Sequence, residues 1–379
     1  MKVLLVIDQY DGVTNGTTMT ARRLAECLRR RSHEVRIASS GPDREGIWGF
    51  GEFRIPVFDP LVKAQGYVFA GCDEAKMRQA VGWADLVHVL MPFPLEKLAV
   101  KVALDMDKPL TAGYHLQPEN IWYSVGLGHL QPLLDFTYVA GRKYIFKYIK
   151  HIHCPSNMIR DVLASHGFRA ELHVISNGYS DVFRYQKRPK RKEFEGKFVI
   201  VMSGRISNEK RQDILIEAVR RSRHSKDIQL FLAGQGPVKD RIAKLGATLP
   251  NPVMMGFLTT AQMVQLLSEA DLFGYPSDVD IESISCLEAV ASGLVPVISD
   301  SKSSAASQFA LDERSVFRSG DIDGLSKKID YWIEHEEERK RMEKEYAAFA
   351  KATFSLDVCI DRMVDMFDQE MQRHGKRFC

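Results

Sequence analysis

Short apolar runs alternate along the whole chain with longer segments of helical periodicity, the arrangement that builds a parallel sheet with crossover helices. The first run, Val3–Ile7, is followed by a loop and an amphipathic stretch over Thr18–Arg31. Further strands are expected at Val35–Ala38, Leu86–Leu90, Leu110–Gly113 and Ile152–Cys154, and Val174–Ile175 precedes an Asn177-Gly178 turn. A second series follows at Phe198–Met202, Gln229–Ala233, Pro252–Met255, Leu272–Tyr275 and Val295–Ile298. Two such series in one chain predict an α/β protein of two Rossmann-like domains.

Between the two series the pattern lapses. From Tyr179 to Lys197, Arg184, Lys187, Arg188, Lys190, Arg191 and Lys192 surround Pro189 with little apolar periodicity, which is the composition of a linker. The domains are therefore expected over residues 1–178 and 197–356. A charged helix over Glu334–Lys351 precedes a last helical stretch, Ser355–Arg373, and a C-terminal helix over about 357–379 is expected to pack back on the first domain.

Composition changes this picture little. Hydrophobic residues make up 45% and charged ones 27% of the 379, as in ordinary globular proteins. No apolar run approaches the ~18 residues of a membrane span. The opening Met1-Lys2-Val3-Leu4-Leu5-Val6-Ile7-Asp8 is too short and too soon polar for a signal peptide. The six cysteines form no Cys-x-x-Cys pair, which argues against structural zinc and disulfides and for a reduced, cytoplasmic protein.

Charge is more informative. Residues 1–200 carry 28 Lys and Arg against 21 Asp and Glu, a balance of +7, whereas residues 201–379 carry −4. A basic front half fits an anionic partner such as a membrane surface, though chance produces the same balance.

Three loops carry candidate chemistry. Asp11-Gly12-Val13-Thr14-Asn15-Gly16-Thr17-Thr18 lies between the first strand and its helix, where glycine lets backbone N–H groups approach a phosphate. It is not Gly-x-Gly-x-x-Gly, and the second strand does not end in an acidic residue, so a nicotinamide dinucleotide fits poorly. A plain strand-to-helix turn reads equally well here. Ser203-Gly204-Arg205-Ile206-Ser207-Asn208-Glu209-Lys210 follows the first strand of the second series, and its two cations suit a diphosphate. Asp280-Ile281-Glu282-Ser283-Ile284-Ser285-Cys286-Leu287-Glu288 puts carboxylates beside a helix N-terminus, where they can hold hydroxyls while the helix faces phosphate.

Together these pieces resemble the large retaining glycosyltransferase family with the two-domain GT-B fold, of the family 4 type. The matching residues are Gly16, Asn177-Gly178, Gly204-Arg205 with Lys210, Gly234-Gln235-Gly236, and Asp280 separated by seven residues from Glu288, in register along essentially the whole chain. The resemblance implies two Rossmann-like domains facing each other across a cleft. It implies a nucleotide-sugar donor, expected to be a UDP-hexose, whose diphosphate meets Arg205 and Lys210 and whose ribose meets Glu288. Asp280 would contact the donor sugar, Glu282, Ser283 and Ile284 would lie near sugar and phosphate, and the base would rest near Met255, Gly256 and Phe257. His115 matches the family histidine that reaches the sugar.

Two departures from the family pattern stand out. Asp replaces Glu at 280, and Glu282 stands where an aromatic residue is common, so the residues do not choose which carboxylate holds the sugar. The change also spells Asp278-Val279-Asp280, a pairing that hard cations favour. With Arg205 and Lys210 at hand, no metal and no other cofactor are expected.

For the acceptor, Phe136–Lys150 interleaves Tyr138, Tyr144, Phe146 and Tyr148 with Arg142, Lys143, Lys147 and Lys150. Such a helix suits an anionic bilayer, or a core face with a solvated basic edge. Tyr114-His115-Leu116-Gln117-Pro118-Glu119-Asn120 is similar to the bacterial branch that makes α-glycosyl lipids, the diacylglycerol and sterol glucosyltransferases. A membrane lipid is thus the expected acceptor, with a peripheral position on the inner face of the membrane and no nucleic-acid partner. A soluble sugar acceptor, a nucleotide-sugar 2-epimerase and a non-catalytic carbohydrate-binding protein remain the other readings.

Overall fold

The computed structural model describes residues 1–11, 16–53, 68–119, 122, 127 and 130–376. The chain divides into two compact units: residues 1–118, 127–176 and 359–379 form the first, and residues 119–126 and 177–358 the second.

In the first unit the strands are β1 (Lys2–Val6), β2 (Glu34–Ser39), β3 (Ile47–Gly49), β4 (Glu52–Phe53), β5 (Phe69–Ala70), β6 (Leu86–Val89), β7 (Leu110–Gly113), β8 (His151–Cys154) and β9 (Glu171–Val174). Seven of them make one parallel sheet in the order β3-β2-β1-β6-β7-β8-β9, and β4 pairs antiparallel with β5. Val3, Leu4, Leu5 and Val6 are wholly buried, the continuous apolar run of a central strand covered on both faces. The final helix, Leu356–Gly375, belongs to this unit from Cys359 onward. There Phe367 packs 5.2 Å from His88, and Arg31 reaches Asp361 at 2.8 Å.

The second unit contains β10 (Phe198–Ser203), β11 (Ile228–Ala233), β12 (Met254–Gly256), β13 (Leu272–Tyr275), β14 (Val279–Asp280), β15 (Pro296–Ser299), β16 (Ser303–Ser304) and β17 (Val316–Phe317). Its parallel sheet runs β12-β11-β10-β13-β15-β17, and β14 pairs separately with β16. In each large sheet the chain builds outward from the first strand in one direction, then returns to build on its other side. The strand order therefore reverses beside β1 and β10. In open α/β sheets the crevice outside the carboxyl ends of the strands at that reversal is where ligands bind.

The segment from 179 to 197 is not a free linker. Lys187 pairs with Glu343 at 2.9 Å, Lys190 with Asp271 at 2.5 Å and Arg191 with Glu269 at 2.5 Å. Phe183 and Phe194 are buried in the second unit's core. The missing periodicity reflects a strap fastened by single contacts, since an extended segment needs no repeating apolar face. The expected strands all lie within an observed one or overlap it; β3, β4, β5, β14, β16 and β17, with only two or three residues each, are additional.

Two buried histidines of the first sheet, His88 and His153, bear on stability. His88 is fully buried and bonds Thr111 Oγ1 at 2.9 Å through Nδ1, while His153 Nε2 meets the Ile175 carbonyl at 2.6 Å. Burial pushes His88 down to about 3, helped by the charge of His153. Burial also takes His153 down to about 4, against the opposing pull of the Ile175 carbonyl. Both rings are neutral in the fold at pH 7, yet both protonate near 6.5 in the unfolded chain. Stability is therefore present above about pH 6.5 and is lost as pH falls towards the native values, by up to about 1.4 kcal/mol per pH unit for each ring. Urea unfolding between pH 7.5 and 5 should show this slope, and His88→Gln should reduce it. An unchanged slope in the folded variant would remove His88 from the account.

Candidate functional site

The second unit gathers three loops at the carboxyl ends of β10, β11 and β12. Gly204 N donates to Ala233 O at 3.0 Å, Ile206 N to Gln235 O at 2.9 Å, and Gly234 N to Gly256 O at 2.8 Å. The loops are packed backbone to backbone. A Cβ on Gly234 would lie 1.9 Å from Gly204 O, and one on Gly236 would lie 2.1 Å from Ile206 O. Gly-Gln-Gly is thus required by the neighbouring loop rather than by a turn. Gly204 itself has φ 140° and stands across from Ser285, whose Oγ would be 3.9 Å from its Cβ.

The loop after β10 is tied to the loop after β13 by charge. Lys210 Nζ ion-pairs with Asp280 and donates to Val279 O at 3.2 Å and to Tyr275 Oη at 3.3 Å. Tyr275 Oη donates to the same carboxylate at 2.5 Å, and Ser283 N donates to its other oxygen at 2.9 Å. Burial alone would raise Asp280, but the Lys210 ammonium and these hydrogen bonds outweigh it and hold the carboxyl below its usual range. Burial would lower Lys210, and the Asp280 charge reverses that and raises it. Alongside, Arg211 pairs with Asp278 at 2.9 Å, Ser319 Oγ donates to Asp278 at 3.0 Å, and Asp278 N donates to Glu209 O at 2.8 Å. Both carboxylates of the Asp-x-Asp spelling are therefore already matched to protein cations.

Arg205 differs from Lys210. It is exposed, and among the described residues its guanidinium has no ion-pair partner. Its own carbonyl is fixed by Gln212 Nε2 at 2.9 Å, so the backbone under the free cation is rigid. Across the sheet reversal begins the helix Ile284–Ala291, with Ser283 as its cap at φ 70°, a left-handed conformation that a non-glycine residue adopts at a cost of about 1–3 kcal/mol. The amides of Ile284, Ser285 and Cys286 lack intrahelical partners by their position. No side chain caps this helix, and Ser283 Oγ is buried without a hydrogen-bond partner among the described residues. An anion placed there meets unpaired donors and the positive end of the helix dipole.

The other second-unit residues fall around this point. Glu288 lies half-buried one turn further along the helix. Met255 and Gly256 end the edge strand β12, and Phe257 follows with its ring 67% exposed, an apolar face without cover. Glu282 is engaged elsewhere. Its Oε1 accepts from Asn177 N at 2.8 Å and its Oε2 from Asn177 Nδ2, so it fixes the Asn-Gly turn where the second unit begins. The left-handed Gly178, at φ 71°, is pressed against Leu356. Sequence reasoning missed Tyr275 and Arg211 as site-forming residues; Tyr275 was legible only as the last residue of its strand.

Gly16 and His115 belong to the first unit. Gly16 is the first residue of the helix Gly16–Arg30, while residues 12–15 of its loop lie outside the described residues, as does Asn120. His115 folds back over Gly113, where a Cβ would come within 2.5 Å of its Nε2. That nitrogen is buried without a partner among the described residues, and burial, with His153 and His88 nearby, drives the ring well below its usual pKa. His115 is neutral at pH 7. At the carboxyl end of β1, Asp8 and Glu96 form a buried carboxyl pair that the sequence did not reveal. Burial, then the charge of Asp8, raises Glu96 well above its usual range, and Asp8 accepts from Ala70 N at 2.7 Å.

The basic stretch of this unit is not one helix. A helix over Gln131–Tyr144 ends at Ile145, and a single 3-10 turn, Phe146–Tyr148, follows. Tyr138 and Phe146 go into the core against Tyr114, with ring centroids 6.2 and 5.3 Å away. Phe136, Tyr144 and Tyr148 remain exposed. Arg142, Lys143, Lys147, Lys150 and Arg169 line a cavity of about 340 Å³.

Against known proteins, residues 14–181 match the model of Glycosyltransferase Family 4, and residues 183–348 that of Glycosyl transferases group 1. The alpha-monoglucosyldiacylglycerol synthase of Streptococcus pneumoniae is 23% identical over 316 residues, covering 79% of this chain and 70% of that protein. A GDP-mannose-dependent alpha-mannosyltransferase of Corynebacterium glutamicum is 26% identical over 316 residues, covering 79% and 72%. Among solved structures, Alr3699/HepE of Anabaena in complex with UDP-glucose superposes with a TM-score of 0.74 at 18% identity, covering 97% of this chain and all of that one. That superposition spans both parallel-sheet units, and the two family models meet between residues 181 and 183. The chain belongs to the GT-B glycosyltransferases, joining a family 4 domain to a group 1 domain.

Proposed function

We propose that this glycosyltransferase moves a hexose from a UDP-sugar to a hydroxyl of a membrane lipid, with retention at the anomeric carbon. The observation that carries the donor half is the strand-end site of the second unit. The exposed guanidinium of Arg205, the Lys210 ammonium and the uncapped start of Ile284–Ala291 supply charge and unpaired amides where the strand order reverses. The diphosphate of the donor fits this set, with Glu288 one turn along the helix for the ribose and Phe257 for the base.

Charge builds on the β-phosphate as its bond to the anomeric carbon breaks, so donors fixed in advance lower the barrier. The acceptor oxygen attacks from the face that the phosphate leaves, and the acceptor proton passes to a phosphate oxygen. The products are an α-glycoside and UDP. A double displacement would need a free carboxylate nucleophile. Asp280 is held by Lys210 and Tyr275, and Glu282 by Asn177, which favours same-face attack. A neutral His115 suits hydrogen bonding to a sugar hydroxyl without adding charge. By the same reasoning the two protein cations take the place of a metal at the diphosphate.

The lipid half rests on the first unit. The cavity is lined by five cations, and the exposed Tyr144 and Tyr148 follow two of them, Lys143 and Lys147, in the chain, a combination suited to headgroup phosphate and the bilayer interface. No helix among the described residues is long and apolar enough to cross a membrane. The name of the pneumococcal relative, alpha-monoglucosyldiacylglycerol synthase, points the same way, whereas the corynebacterial one names GDP-mannose as donor. GDP-mannose is therefore the second reading. Mass spectrometry of products from a panel of UDP-sugars and GDP-mannose, with diacylglycerol, sterol and soluble sugars as acceptors, separates them.

Four outcomes test the reading further. Arg205→Ala should cut turnover roughly 10²-fold or more while leaving the melting temperature unchanged, because the side chain is exposed and unpaired. Lys210→Ala should cut turnover and also destabilise the fold by about 3–5 kcal/mol, because it strands the buried Asp280 charge. Near-wild-type turnover in both folded variants would remove the diphosphate assignment. Transfer should persist in EDTA; complete loss, restored by Mg²⁺ or Mn²⁺, would overturn the metal-free reading. Sedimentation with anionic vesicles should be strong at low salt and weaken with added salt, since exposed charges are screened over about 10 Å at 0.1 M. The Lys143→Glu, Lys147→Glu variant should bind much less. Equal binding to neutral and anionic vesicles would contradict the docking surface.

A further inference from the structure

We infer that His151, Glu171 and His173 form a zinc site at the amino-terminal end of the first sheet, separate from the transferase chemistry. β8 and β9 run parallel with His151 opposite Glu171 and His153 opposite His173. Side chains two residues apart share a face of a strand, so Glu171 and His173 point the same way and His151 lies beside both. His151 Nδ1 is 2.9 Å from His173 Nε2. One Glu171 oxygen is 3.7 Å from the first of these nitrogens, and the other is 3.7 Å from the second.

These separations match the spacing of ligands around one small cation. Bonds of about 2.0–2.1 Å at tetrahedral angles place neighbouring ligand atoms about 3.3 Å apart. The His–His edge is shorter and the His–Glu edges are longer than that value, and with one oxygen of Glu171 counted the three ligand atoms lie within 4.8 Å of one another. Two imidazoles and one carboxylate suit zinc and not magnesium or calcium, which take oxygen ligands. Glu171 is 61% exposed, so ions reach the site from solvent and water can fill a fourth position.

The second observation lies behind His151. Its other nitrogen, Nε2, faces Glu370 Oε2 at 3.7 Å, and that carboxylate is buried. Glu370 is itself held by Arg373 at 2.6 and 2.7 Å. A metal on Nδ1 places the ring proton on Nε2, directed at this carboxylate, which is the outer partner that metal-bound histidines use. The cation would fasten the edge strand β9 to β8 and, through Glu370, to the last helix. His151 and Glu171 open their strands, so the site lies at the opposite end of the sheet from the strand ends at which α/β folds bind substrates. Its role is structural.

The test uses the full chain, stripped with EDTA and exchanged into metal-free buffer, with Zn²⁺ titrated by calorimetry. One Zn²⁺ should bind per chain, and a hundredfold excess over Kd should raise the melting temperature by roughly 5 °C. His173→Gln and Glu171→Gln should each weaken binding at least tenfold, and Glu370→Gln about tenfold. Circular dichroism of the metal-free variants checks that they fold. Co²⁺ should give the visible absorption of a tetrahedral site in wild type only. No saturable Zn²⁺ binding by folded wild type, or equal binding by folded His173→Gln, would overturn the site. The measurement reads binding and stability rather than sugar transfer, so it stands or falls apart from the proposed reaction.

Discussion

The candidate donor site depends on one buried ion pair, Lys210 with Asp280, that joins the loop after β10 to the loop after β13. Two parallel strands that meet at a reversal of strand order end in loops that would otherwise separate, because successive crossovers leave on opposite faces. The ion pair, Tyr275 and the parallel Arg211–Asp278 bridge close that gap in the second unit. A buried pair of this sort gains little over apolar packing, while losing one partner is costly. Its value is positional. It sets Ser283 in its left-handed cap and leaves the helix start uncapped, beside the one loop cation that remains exposed.

Much of this was legible in the sequence, for identifiable reasons. Central strands such as β1 and β10 are buried on both faces, so their composition alone marks them. Gly204, Arg205, Lys210, Asp280 and Glu288 sit on the loops after β10 and β13 and on the helix that follows, which is why their spacing survives as a pattern. What did not show is tertiary. Nothing in the order of residues states that Asp280 faces Lys210 or that Glu282 closes on Asn177, over separations of 70 and 105 residues. The 179–197 strap reads as a linker because its contacts, Lys187 with Glu343 among them, are single long-range ion pairs without period. The basic stretch after Gln131 reads as one helix because the break at Ile145 has no proline or glycine to announce it.

The first unit handles charge differently. It buries His88, His153 and His115 as neutral imidazoles, and burial beside Asp8 raises Glu96 well above the usual carboxyl range. Its cations face outward around the cavity beside Lys143 and Lys147. The second unit holds Lys210 and Arg211 in matched pairs and keeps Arg205 open. In the proposed reaction the second unit would meet the nucleotide diphosphate and the first unit the acceptor.

A crystal structure of the protein with bound UDP tests the central claim most directly. The account predicts the diphosphate at the carboxyl ends of β10 and β13, with its oxygens on the Arg205 guanidinium, on Lys210 turned from Asp280, and on the first amides of Ile284–Ala291. The uracil should lie by Phe257 and the ribose by Glu288. A diphosphate bound elsewhere, with Lys210 still paired to Asp280 and Arg205 in solvent, would contradict it.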